Sequence, residues 1–185
     1  MKAYTVKDLM VPLSEYATVP VGSTLFEAVL ALEKAQEEFD HTKYRHRGVL
    51  IMDKDNRVIG KLSHMDALRA LEPAEDQTNG IKDLIHFGFS EKFVSDLRKQ
   101  ERLKAAPLSD LCKKTSDLKV EDFMRATAEA ELIDHEASLD IAIHQLVLGN
   151  HLSLLVTQNE NAIGILRIAD VFAAVFHTMK KCETN

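Results

Sequence analysis

The sequence predicts an α+β fold, an α/β-type sandwich made of two β-α-β-β-α repeats packed as a pseudo-twofold pair with a helical insert between them. Three observations predict it. TVKDLM (Thr5 to Met10) matches KVEDFM (Lys119 to Met124) at an offset of 114, and at the same offset TLFEAV (Thr24 to Val29) matches SLDIAI (Ser138 to Ile143). VIGKLSHMDAL (Val58 to Leu68) matches AIGILRIADVF (Ala162 to Phe172) at an offset of 104. Self-similarity of this kind marks a repeated supersecondary unit. The segment between the copies, Glu72 to Leu118, is too long and too patterned for a bare connection.

Each copy reads alike along the chain. A short strand comes first, Thr18 to Val21 or Leu132 to His135. A helix follows, with apolar points at Leu25, Val29 and Leu32 or Leu139, Ile143 and Leu146, the helical spacing. Thr24 and Glu27 form a capping-box pair at its start in the first copy. Two strands come next, GVLIMD and RVIGKL or LSLLVT and NAIGIL, joined by the polar turns DKDN and QNEN. A second helix closes each copy, about Ser63 to Leu71 and Ile168 to Met179. The fall in offset gives the first copy ten additional residues around EKAQEEFDHTKYRHRG. A unit this small buries little alone, so the copies are expected to pack on each other through their sheets.

The boundaries follow: 1–72 for the first repeat, 73–118 for the insert and 119–185 for the second repeat. In the insert, EPAEDQTNG is turn-like. Ser90 is a candidate N-cap for a helix with apolar points at Phe93, Val94 and Leu97, and Pro107 stands near the start of another short helix.

Composition bounds the function. With 45% hydrophobic and 28% charged residues over 185 positions, the chain is expected to be a soluble globular protein with a real core. Its formal charge of -6 argues against nonspecific nucleic-acid binding. MKAYTVKDLM is too polar for a signal peptide, and no apolar run approaches the roughly 18 to 20 residues of a membrane span. Cys112 and Cys182 sit in no metal-like spacing and suit a reducing cytoplasm.

The two copies resemble a tandem pair of CBS domains, the arrangement called a Bateman module. The resemblance rests on VKDLM and VEDFM leading into the first strand, STLFEAV and ASLDIAI opening the first helix, and a Gly-x-x-(Ser/Thr)-x-x-Asp signature. It covers about residues 5 to 72 and 119 to 180. The resemblance implies a regulatory module, not an enzyme, that binds an adenosine-containing ligand (AMP, ADP, ATP or S-adenosylmethionine) in clefts between the domains. It implies no required cofactor, a homodimer, and a separate effector protein that receives the signal. In the family the signature Asp accepts hydrogen bonds from ribose hydroxyls, and the Ser/Thr contacts phosphate.

The candidate residues carry two readings each. Gly60-Lys61-Leu62-Ser63-His64-Met65-Asp66 fits the signature, nominating Leu62, Ser63 and Asp66. A helix N-terminus suits phosphate, a hydroxyl adds a hydrogen bond and a carboxylate can accept two from a diol. Ser-x-x-Asp also approximates a capping box that merely starts a helix. In the second copy Arg167 replaces the serine while Asp170 remains. Arg167 could hold phosphate, or fill the site with its own charge by pairing with Asp170 or Glu160. The resemblance places Thr18, Val19 and Pro20 at an adenine pocket, with Ile133 in the second copy; Val19 and Ile133 also read as strand core. Arg125 is either a phosphate contact or a solvated arginine, and Arg45 or Arg47 could reach over the cleft from the expanded segment. His41 and His46 near Asp40 lack metal-ligand spacing, so no metal site is expected. No catalytic constellation stands out. The alternative function is a dimeric interaction scaffold with a degenerate cleft; a small-molecule enzyme has almost no support.

Overall fold

The computed structural model describes residues 4–38, 44–71, 88–96 and 111–183. The helices are α1 (Val6–Leu9), α2 (Leu25–Glu38), α3 (His64–Leu71), α4 (Leu111–Asp117), α5 (Leu139–Leu148) and α6 (Ile168–Glu183), with a further helical stretch at 91–96. The strands are β1 (Val11–Pro12), β2 (Thr18–Pro20), β3 (Gly48–Met52), β4 (Val58–Ser63), β5 (Arg125–Ala126), β6 (Leu132–Asp134), β7 (Ser153–Gln158) and β8 (Asn161–Arg167).

Two four-stranded sheets result, ordered β1-β8-β7-β6 and β2-β3-β4-β5. Within each repeat the first strand pairs in parallel with the second, across the helix, and the hairpin is antiparallel. The edge strand of each sheet comes from the other repeat. Val11 pairs with Ile165, and Arg125 pairs with Lys61. The helices that lead in cross over too. Val6 is fully buried in the second repeat's core, and Val120 in the first's. Paired bridges, Thr5 to Ser138 and Thr24 to Lys119, repeat the same crossing in both directions.

Alternation along the strands produces the layers. Val49 and Ile51 face α2 in one core, and Leu154 and Val156 face α5 in the second. Leu50 and Leu155 point the other way and meet Val11, Tyr16 and Ile165 in a third cluster between the sheets. The order is helices, sheet, sheet, helices, the sandwich that the repeat pattern predicts.

Local signals mostly hold where they can be seen. The Thr24 amide donates to Glu27 Oε2 at 2.7 Å and the Glu27 amide to Thr24 Oγ1 at 3.1 Å, a complete capping box. Asn56, Asn159 and Glu160 take positive φ in the hairpin turns, a conformation that asparagine tolerates readily. One core assignment is corrected: Val29 is exposed, and Ala28 is fully buried in its place. The buried stripe of α2 runs Leu25, Ala28, Leu32, one turn-phase away from the larger side chain. The first strands end at Pro20 and Asp134, and the last helix runs on to Glu183.

In the insert, Ser90 Oγ accepts from the Phe93 amide at 3.3 Å, as an N-cap does. Val94 is buried, while Phe93 is exposed and stacks on Phe89. Leu97, Pro107 and the EPAEDQTNG turn lie outside the described residues. Helix α4 packs against α2 and α3, so the end of the insert is seated on the first repeat.

Candidate functional site

A cavity of about 320 Å³ opens between the two hairpins. Its wall positions come in repeat-related pairs: Arg47 with Leu152, Gly48 with Ser153, Lys61 with Ile165 and Ser63 with Arg167. The cleft therefore straddles the pseudo-twofold axis, but chemically its two halves differ.

On the first half, β4 ends at Ser63 and α3 begins. The Ser63 amide and hydroxyl donate to Asp66 Oδ2 at 2.9 and 2.5 Å, and the Asp66 amide donates back to Ser63 Oγ at 3.2 Å. Arg125, carried across by the exchanged strand β5, donates from Nε to the same carboxylate oxygen at 3.3 Å. Arg69 reaches Oδ1 at 3.2 Å. Asp66 is only 4% exposed. Burial alone would push its pKa up; the Ser63 hydrogen bonds and Arg125 outweigh it and hold the carboxyl below its usual value.

On the second half, Arg167 fills the position of Ser63. Its Nε and Nη2 grip Asp170 at 2.5 and 2.7 Å, a bidentate pair. Its Nη1 donates to the Tyr44 carbonyl at 2.7 Å and lies 3.2 Å from His46 Nδ1. At 6% exposure the guanidinium is a structural part of the wall. His46 is fully buried, edge-on to Tyr16 at 4.5 Å between ring centres. Burial first, and then the Arg167 charge, push its imidazole pKa down. Burial likewise pushes the Tyr16 hydroxyl up to about 12.

The floor holds a third group. Lys61 Nζ lies 2.6 Å from Glu131 Oε1, and His151 Nδ1 lies 3.5 Å from the same oxygen. The His151 ring folds back onto Gly149, where an added Cβ would fall 2.1 Å from Nε2. Arg45 and Arg47 stand at the exposed rim.

The structure thus brings six of the sequence-nominated residues to the cleft: Leu62, Ser63, Arg125 and Arg167 on its walls and Arg45 and Arg47 at its rim. Asp66 and Asp170 stand behind the wall and hold its arginines. Thr18, Val19, Pro20 and Ile133 do not line this cavity; Val19 and Ile133 are buried in the two helix-side cores. The sequence reading missed Tyr16, Glu131, Leu152 and Ser153, which line the cleft from segments distant in sequence from the signature. Position 151 carried a usable signal, because it is the repeat partner of His46. Asp40 and His41 lie outside the described residues, and His46 is engaged with Arg167. Among the described residues no three His, Cys, Asp or Glu side chains gather as a metal site.

Comparisons with known proteins agree with this fold. Residues 6–73 match the model of the CBS domain. No curated protein matches the sequence. Among solved structures, a CBS domain-containing protein of unknown function from Bacillus anthracis superposes with a TM-score of 0.60 at 17% identity, covering 94% of each chain. The CBS-pair protein CBSX2 from Arabidopsis thaliana gives 0.60 at 19% identity, covering 97% of this chain and 99% of its own. CBSX2 in complex with AMP gives 0.58 at 22% identity, covering 94% and 97%.

Proposed function

We propose, taking as premise that this is a CBS-domain chain with the fold of a CBS pair, that it is a regulatory module sensing an adenosine-containing nucleotide in the cleft between its repeats. The observation that carries this reading is the cleft itself. It is an open cavity of about 320 Å³, with the Ser63 hydroxyl and the Arg125 guanidinium on one wall and apolar Val49, Leu50 and Ile165 beside them. That combination suits a ligand with a flat apolar base and an anionic tail. The AMP complex of a chain sharing this fold supports the ligand class.

A switch needs a ligand that binds one conformation better than another. The cleft is walled by both repeats, so occupancy bears on how the two sit against each other, and a separate effector protein would read the difference. The exposed apolar side chains Met65, Leu68, Ile168, Phe172, Phe176 and Met179 on α3 and α6 suit association with a second copy, so a homodimer is proposed. Among the described residues no helix is long and apolar enough to cross a membrane, and a cytoplasmic site of action is proposed. No catalytic role is assigned.

The second reading is a dimeric scaffold with a non-binding cleft, favoured by the Arg167–Asp170 pair that fills the second half. Isothermal titration of nucleotide-free protein with AMP, ADP, ATP and S-adenosylmethionine separates the two. Saturable binding that weakens in Arg125→Ala supports the sensor. No heat with any of the four, from protein that elutes as a dimer, supports the scaffold.

A further inference from the structure

Five cations line the cleft: Arg45, Arg47, Lys61, Arg125 and Arg167. Three are held by carboxylates, Lys61 by Glu131, Arg125 by Asp66 and Arg167 by Asp170. Among the described residues the side chains of Arg45 and Arg47 have no hydrogen-bond or ion-pair partner. Their repeat-related positions are Asn150 and Leu152, so this excess positive charge sits on one half only.

The backbone that carries them is anchored. Arg167 holds the Tyr44 carbonyl and lies against His46, on either side of Arg45, and Gly48 opens β3 immediately after Arg47. The two guanidinium groups therefore extend from a fixed segment, which lowers the ordering cost of using them on a ligand. The cavity is near the lower end of the usual range for small-molecule sites, so a nucleoside would take most of it and a phosphate chain would run out toward the rim. Although the chain as a whole carries a net charge of -6, Arg45 and Arg47 make this rim a local attractor for polyanions.

We infer that the cleft selects by phosphate number, taking nucleoside di- and triphosphates over the monophosphate, with the terminal phosphates held by Arg45 and Arg47. The inference rests on the nucleotide reading above and adds a residue-level source of selectivity to it. A guanidinium fork fits phosphate oxygens in bidentate fashion, and each further phosphate adds at least about one negative charge to meet it.

The test is isothermal titration of the full chain with AMP, ADP, ATP and inorganic tripolyphosphate, without divalent cations, in wild type and in the double variant Arg45→Ala/Arg47→Ala. Both arginines are exposed, and an unchanged melting temperature checks that the variant folds. Expected is ATP binding about tenfold or more tighter than AMP in wild type, a difference of about 1.4 kcal/mol or more. In the double variant that ratio falls to about one, with AMP affinity unchanged. Equal affinities for AMP and ATP in wild type, or a preference that survives the double substitution, overturn the inference and leave the nucleotide reading standing. Tripolyphosphate binding as tightly as ATP overturns it in favour of a simple polyanion site. No binding by any nucleotide overturns the nucleotide reading, and this inference with it.

Discussion

Lys61 Nζ lies 2.6 Å from Glu131 Oε1, with side chains only 17% and 11% exposed, and this pair ties β4 of the first repeat to the turn before β6 of the second. At the repeat-related positions stand Ile165 and Ala17, both buried and apolar. The same two positions are therefore charged on one side of the pseudo-twofold axis and apolar on the other. Breaking a buried pair leaves one ion without its counter-charge, which costs more than the pair contributes net. Lys61→Met or Glu131→Gln alone should destabilise by about 2 to 4 kcal/mol. The double change Lys61→Ile/Glu131→Ala, which copies the other side, should cost under about 1 kcal/mol or stabilise. Urea midpoints at constant slope decide it.

Asp66 should link stability to acid. Its folded pKa lies below its ordinary value, so its contribution is fully present above the ordinary carboxylate pKa and is lost as the pH falls through the lower folded value. Asp66→Ala removes the capping box and the Arg125 contact together, costing about 2 kcal/mol at neutral pH. The gap between wild type and variant should shrink once the folded carboxyl is protonated. Thermal melts of both proteins across the acid range check the sign.

His46 acts in a higher window. It is buried neutral with a lowered pKa, so protons bind the unfolded chain first as the pH drops below the ordinary imidazole value. Its contribution is present above that value and is lost as the pH falls through the lower folded one. His46→Gln should cost about 2 kcal/mol at neutral pH, from lost packing on Tyr16 and the changed partner of Arg167. It should also flatten the melting-temperature profile where imidazoles titrate. A difference profile, variant against wild type, isolates this residue from the other histidines.

The signature glycines answer to the exchanged strands. A Cβ on Gly164 would lie 2.7 Å from the Val11 carbonyl, and one on Gly60 would lie 2.7 Å from Met124 Sδ and 3.0 Å from the Arg125 carbonyl. Gly164→Ala must displace backbone and should cost about 1 to 3 kcal/mol. Gly60→Ala meets a flexible thioether first and should cost less. Denaturation midpoints of the two variants rank them.

How much of this could be read from the sequence depends on the span of each interaction. The Thr24–Glu27 and Ser63–Asp66 boxes are local, three residues apart, and both are present. The Arg167–Asp170 pair was one of the alternatives open at that position, and it too spans one helical turn. Val29 is the wrong core position because Ala28 and Val29 stand three and four residues from Leu25, both helical spacings, and side-chain size favours the valine although Ala28 is the buried one. Strands β1 and β5 have two residues each, too few for any alternation to register. Lys61 and Glu131 become neighbours only after the repeats pair, and Tyr16 and His46 only after β2 pairs with β3, so no local pattern announces either.

Strand β1 belongs by sequence to the first repeat and by hydrogen bonding to the second, and β5 makes the reverse journey. The first repeat's sheet waits for Arg125 and Ala126 and the second's joins Val11 to Ile165, so the closing contacts have a high sequence separation and folding should be slow for a protein of this size. A polypeptide severed within the insert would yield two fragments, each with an unpaired edge and a vacancy in its helix-side core where Val6 or Val120 belongs. Mixed, they should re-form one complex that melts in a single step; apart, each would be a strand edge in search of a partner.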